Sequence, residues 1–183
     1  MRTNLSSQIT LNRVSTKYYK PENAVERSVL TRFEKVPTDI YESVDEGVCH
    51  IANEIAGKIQ DRQREGKFFV IGAGTGASLR PLYAELVRKH KDEGLSFRNV
   101  VIFNLYEYYP LAPESAGSSF TQLKDLFVDQ IDIDKQNVFT IDGSIPQEAI
   151  LEYCRLYEQR LQTFGGMDIV LMGIGREGNI AMN

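Results

Sequence analysis

Four short apolar runs limit what this chain can become: Phe68-Phe69-Val70-Ile71, Val100-Val101-Ile102-Phe103, Val138-Phe139-Thr140-Ile141 and, after Asp168, Ile169-Val170-Leu171-Met172. The first reads as a strand buried on both faces, the second as another buried strand, and the last two as further strands. Between them lie segments whose apolar residues recur every three or four positions, the period of a helix face. Helix and strand alternating through short connections call for an α/β fold. Its three layers are a mostly parallel sheet with helices on both faces, joined by right-handed crossovers. A ligand in such a sheet is expected beyond the carboxyl ends of the strands, where strand order reverses.

The helices are legible from caps and faces. Ser43 followed by Glu46 has capping-box spacing, and Val48, Ile51, Ala52, Ile55 and Ile59 repeat on one face. That helix should end near Gly66, after Arg62 and Arg64. Leu82, Leu86 and Val87 mark a helix to about Lys91, stopped by Gly94; Phe120, Leu123, Leu126 and Phe127 mark another, ending by Ile131. Pro146 opens a third, with Ile150, Tyr153, Cys154, Tyr157 and Leu161 on its face and Gly165-Gly166 at its end.

Residues 1–37 read differently, as an N-terminal arm ahead of a domain at 38–183, the alternative being a partly disordered leader. Positions 1–19 are polar and without period. Within 20–37 a short helix is expected, with Pro21 at its first position and Val25, Val29 and Phe33 four apart. The chain stops at Asn183, after a Gly-rich loop and before any helix that could cover the fourth strand. The expectation is a domain truncated at its C-terminus rather than one closed by its last turn. Apolar surface on that strand would then favour self-association as a homo-oligomer.

Composition excludes some classes. With 21 basic and 25 acidic side chains the net charge is −4, which argues against wholesale nucleic-acid binding. The apolar runs are too short to span a membrane, and no basic segment followed by an apolar run opens the chain, so a cytoplasmic protein is expected. Cys49 and Cys154 fall inside helical segments and fit buried thiols in a reducing compartment. His50 and His90 lack the spacing of metal ligands, so no metal site is expected.

Three strand ends carry chemistry. Gly72-Ala73-Gly74-Thr75-Gly76-Ala77-Ser78 joins a strand to a helix: its small residues let backbone N–H groups approach a ligand, Thr75 and Ser78 add hydroxyls, and the helix turns its positive end toward the loop. This is either a phosphate cradle or a plain tight turn. A dinucleotide site would want Gly or Ala where Ser78 stands, and no acid ends the next strand at ribose-binding spacing. In Asn104-Leu105-Tyr106-Glu107-Tyr108-Tyr109, Glu107 lies among aromatics. Partial burial would raise its pKa toward proton transfer; the alternative is a surface Glu in a Tyr-rich loop. Gly173-Ile174-Gly175-Arg176-Glu177-Gly178-Asn179 offers a guanidinium, a carboxylate and an amide at the same edge, or only a glycine turn.

In that order, the phosphate loop, Val100-Val101-Ile102-Phe103-Asn104 with Glu107-Tyr108, and the Gly173–Asn183 segment resemble the glucosamine-6-phosphate deaminase/isomerase group, within the wider set that includes 6-phosphogluconolactonase-like proteins. The resemblance spans 39–183. It implies a Rossmann-like sheet, a phosphorylated amino sugar as ligand, no cofactor, and conversion of glucosamine 6-phosphate to fructose 6-phosphate plus ammonia. Carried over by position, Gly74, Thr75, Gly76, Ala77 and Ser78 hold the sugar phosphate. Tyr106 stands where the family has an Asp base, and Glu107 matches the Glu beside it. Glu177 matches an Asp, and Asn179 matches the His that helps open the ring. A phenol with a reference pKa near 10 is a poor base at neutral pH, and Asn179 cannot shuttle a proton. The resemblance also implies a further acid and basic groups for the phosphate beyond Asn183, so the truncated form is expected to be inactive by itself. A non-catalytic sugar-phosphate sensor and a lactonase-type hydrolase are the competing readings.

Overall fold

The computed structural model describes residues 22–30, 32, 38–175 and 177–181. Two compact units divide the chain, Met1–Gly47 and Val48–Asn183.

In the first unit α1 runs over Ala24–Leu30. Asn23 Oδ1 accepts the Glu26 N–H at 2.9 Å, and the Glu26 carboxylate accepts the Glu22 N–H at 2.8 Å. The helix thus starts from Asn23; Pro21, expected at its first position, lies outside the described residues, as does Phe33. Val25 and Val29 are exposed, so their four-residue spacing marks no buried face. The same cap recurs further on: Ser43 Oγ accepts the Glu46 N–H at 3.1 Å, and Glu46 accepts the Glu42 N–H at 3.0 Å. The expected Ser–Glu pair forms, with the Glu reaching one residue ahead of Ser43.

Helix α2 spans Val44–Arg64. Ala52, Ile55 and Ile59 are fully buried, whereas Ile51, expected on the same face, is 39% exposed. Then come β1 Phe69–Ala73, α3 Arg80–Glu93, β2 Val100–Asn104, α4 Ser119–Leu126, β3 Val138–Phe139, α5 Ile150–Thr163 and β4 Ile169–Leu171. The sheet is wholly parallel, in the order β3-β2-β1-β4. β1 and β2 are buried along their whole length, as their apolar runs require. On one face Phe69, Ile71, Val100 and Ile102 pack with the core faces of α2, α3 and α4. On the other, Val70, Val101 and Phe103 pack with Tyr157, Leu161 and Phe164 of α5 and its end. Helices on both faces make the expected three-layer α/β arrangement, and the strand order reverses between β1 and β4.

Boundaries shift for local reasons. Phe68 is 49% exposed and precedes β1, which continues through Gly72, a residue expected to close it. A Cβ at position 72 would lie 2.9 Å from Leu105 Cδ2 and closer still to Met167 Sδ, so these two side-chain ends pack directly on the bare glycine backbone. β3 is two residues long instead of four. The Tyr157 hydroxyl lies 2.8 Å from the Asn104 carbonyl and 3.1 Å from that of Phe139, and the Tyr153 hydroxyl donates to Thr140 O. Side chains thus replace the ladder at this edge. Cys49 and Cys154 are exposed, not buried. Cys49 sits one position round from the Ala52–Ile55–Ile59 stripe, and no residue of α5 is fully buried.

β4 is anchored at its start. Asp168 accepts the Val70 N–H at 2.8 Å, pairs with Arg62, and donates its own N–H to Val70 O. Beyond that anchor, Val170 and Met172 are 41% and 47% exposed, in keeping with an uncovered fourth strand.

Candidate functional site

The loop after β1 begins with two residues whose backbone is already engaged. The Gly74 N–H donates to Leu171 O at 3.0 Å, and the buried Tyr83 hydroxyl donates to Gly74 O at 2.6 Å. A Cβ on residue 74 would stand 2.9 Å from Leu171 O, which explains the glycine. The Thr75 N–H donates to the Tyr106 hydroxyl at 2.8 Å, and that hydroxyl donates back to Thr75 O. Thr75 Oγ1 lies 2.9 Å from Oγ of Ser119, a fully buried residue. The expectation of open N–H donors along the whole loop is therefore corrected: those of Gly74 and Thr75 are closed by the fold.

The next three residues differ. Among the described residues the N–H groups of Gly76, Ala77 and Ser78 have no acceptor, and the exposed Ser78 hydroxyl has no partner. Gly76 adopts φ 139°, a conformation that disfavours any side chain. α3 follows at once with Pro81 in its first turn and no side-chain cap. Its N-terminus carries roughly half a positive charge beside the three free donors. The chemistry of that arrangement is reception of an anion.

These groups border a cavity of about 320 Å³ at the carboxyl edge of the sheet. That is the lower end of the range for small-molecule sites, about 300–1,000 Å³. Thr75, Gly76, Ala77 and Ser78 line it with Tyr106 and Asn179. The loops after β1 and β4 meet here: a Cβ on Gly173 would stand 2.5 Å from Ser78 Oγ. The Asn179 backbone carbonyl accepts the Gly175 N–H at 2.8 Å, and its side-chain amide donates to Ala181 O at 3.0 Å. Glu177 is exposed and not among the lining residues; Arg176 lies outside the described residues.

Glu107 is placed elsewhere. Its carboxylate accepts the Ser118 hydroxyl at 2.6 Å and the N–H groups of Ser119, Tyr108 and Phe120 at 2.9, 2.9 and 3.1 Å. Partial burial pushes this carboxyl up, but the Ser118 hydroxyl and the three N–H donors outweigh it and hold Glu107 below the usual glutamate range. The expected rise toward a proton-transfer pKa is thus reversed. Glu107 caps the first turn of α4, and it does not line the cavity.

Sequence reasoning missed Ser119, Tyr108 and Gln122. The last two line the cavity. Ser118 accepting the Thr121 N–H is an ordinary N-cap signal, and it could have placed the start of α4, and with it Ser119 and Gln122, near the site. A second cavity, about 530 Å³, opens among Arg62, Phe68, Phe164 and Asp168, and holds none of the expected site residues. Among the described residues no cluster of His, Cys, Asp and Glu could hold a metal. No helix among them is long and apolar enough to cross a membrane.

Comparison with known proteins points to one group. The family described as glucosamine-6-phosphate isomerases/6-phosphogluconolactonase matches residues 42–181. A glucosamine-6-phosphate deaminase-like protein of Bacteroides thetaiotaomicron is 61% identical over all of this chain, which spans 28% of that protein. The glucosamine-6-phosphate isomerase of Candida albicans is 35% identical over 79% of this chain and 56% of its own length. The chain thus spans between about a quarter and just over half of these relatives. Among solved structures, a monomeric glucosamine-6-phosphate deaminase superposes with TM-score 0.70 at 31% identity, over 77% of this chain and 56% of that one. The 6-phosphogluconolactonase of Thermotoga maritima shares the fold, with TM-score 0.59 at 23% identity over 74% and 59%.

Proposed function

Because the chain belongs to the family of glucosamine-6-phosphate isomerases and 6-phosphogluconolactonases, we propose that it carries the sugar-phosphate-binding part of an amino-sugar-phosphate isomerase/deaminase site. The phosphate of glucosamine 6-phosphate rests on the N–H groups of Gly76, Ala77 and Ser78 and on the Ser78 hydroxyl, at the positive end of α3. The sugar extends toward Tyr106 and Asn179. The observation that carries this reading is the contrast inside one loop: two residues closed by internal hydrogen bonds, then three whose donors have no acceptor among the described residues. A phosphate dianion is held by such a group of N–H donors without a cation being required.

For the reaction, Asn179 lines the cavity on the loop after β4 and can hydrogen-bond the ring, whereas Glu177 is the carboxylate on that loop able to move a proton. The proton at sugar C2 needs a base within hydrogen-bond reach. Glu107 is held ionised as a helix cap, which supports the second reading, a site that binds the amino-sugar phosphate without turning it over.

Calorimetric titration of the chain with glucosamine 6-phosphate, glucosamine and inorganic phosphate tests the binding. The phosphorylated sugar and phosphate should bind, and the unphosphorylated sugar should not. Equal binding of both sugars would overturn the placement. Ammonia and fructose 6-phosphate, measured separately, then decide between turnover and binding alone.

A further inference from the structure

We propose that Tyr106 and Ser119 form a two-hydroxyl clamp on Thr75 that sets the geometry of the loop, making Tyr106 a positioning residue. The inference rests on the phosphate-loop reading above and deepens it.

One phenol oxygen closes both backbone groups of Thr75, accepting its N–H at 2.8 Å and donating to its carbonyl. A phenol has a single proton, so with that proton on Thr75 O it has none to give a ligand, although Tyr106 lines the cavity. From the other side, Ser119 Oγ holds Thr75 Oγ1 at 2.9 Å, and Ser119 is fully buried. Glu107 acts through this second arm, because its carboxylate fixes the Ser119 N–H at 2.9 Å. Residues separated in sequence by 31 and 44 positions therefore converge on one threonine. The three free donors begin at the next residue, so the Thr75 peptide is the hinge point from which Gly76, Ala77 and Ser78 are presented. An aspartate at position 106 is shorter by a whole ring and would not span from the same backbone to Thr75. Tyrosine at this position is matched to the clamp.

The test uses the full chain and the variants Tyr106→Phe, which keeps the ring, and Ser119→Ala. Amide exchange at Thr75 in the ligand-free protein reads the clamp directly; Tyr106→Phe removes both bonds to Thr75 and should speed it by about tenfold, as expected for freeing the Thr75 N–H. The same variant should weaken both glucosamine 6-phosphate and inorganic phosphate by about fivefold while leaving the exchange of core amides in β1 and β2 unchanged. Ser119→Ala should act in the same direction, and the double variant should lose less than the product of the two, because the arms share Thr75. Unchanged Thr75 exchange and unchanged phosphate affinity in Tyr106→Phe would overturn the clamp. Turnover abolished at unchanged affinity would also overturn it, by making Tyr106 a catalytic residue. If the wild-type chain binds neither ligand, the phosphate-loop reading fails on its own, while Thr75 exchange still decides the clamp.

Discussion

The loops that follow β1 and β2 leave neighbouring strands at the same edge of the sheet, yet they treat their polar groups in opposite ways. After β1, the donors of Gly76, Ala77 and Ser78 have no partner among the described residues. After β2, Tyr106 and Glu107 turn inward, one onto Thr75 and the other onto the first turn of α4. Buried polar groups are costly unless paired, whereas exposed donors beside a helix N-terminus remain available to an anion. In the proposed reading the first loop receives the ligand and the second supports that loop. A residue's position at the carboxyl edge is thus insufficient to make it chemical; what matters is whether its hydrogen-bonding capacity is still open.

The sharpest way to break this comparison is to remove the support. Glu107→Ala leaves the Ser118 hydroxyl and three N–H groups without their carboxylate, and should destabilise the chain by about 2–3 kcal/mol in denaturant unfolding. A loss under about 0.5 kcal/mol would mean the cap is dispensable.

Acid titration sharpens the same point. Glu107 is held below its usual pKa in the folded chain, so its stabilising contribution is fully present above the unfolded-state value, about 4.3 for glutamate, and is lost as pH falls through the folded one. Stability should therefore drop below pH about 4.3, and Glu107→Gln should make that drop shallower. Asp132 is lowered as well, through Phe97 N–H and Ser96, so a residual acid sensitivity remains in the variant.

On the receiving side, Ser78→Ala should weaken glucosamine 6-phosphate about fivefold by calorimetry, the worth of about one hydrogen bond. Its unfolding free energy should stay within about 0.5 kcal/mol of wild type, since Ser78 is exposed. The smallest effect belongs to Glu177→Gln, an exposed change expected to leave both stability and phosphate affinity unaltered. A change in ammonia release by this variant alone would give Glu177 its place in the reaction.

The sequence announces features that depend on neighbours along the chain. Val100-Val101-Ile102-Phe103 is continuous and apolar, and it is a buried strand. Gly94 follows a periodic face and adopts φ 73° at the end of α3. The order of the three strand-end motifs sufficed to indicate the family. What escaped it depends on distant partners. Glu107 looked suited to proton transfer because its four donors come from Tyr108 and from Ser118, Ser119 and Phe120, whose approach no local spacing reveals. β3 looked four residues long because the hydroxyls of Tyr153 and Tyr157 that end it sit on α5. Tyr106 was legible as a departure from the Asp that the resemblance implies, but its bond to Thr75 belongs to the fold.

The central claim is that the phosphate rests on Gly76, Ala77 and Ser78 while the β2 loop stays engaged with the protein. Amide chemical shifts followed during titration of the chain with glucosamine 6-phosphate test it most directly. The account predicts the largest shifts at Gly76, Ala77 and Ser78, with much smaller ones at Thr75, Tyr108 and Ser119. Saturation that instead moves only residues around the second cavity, near Arg62, Phe68 and Phe164, would contradict it.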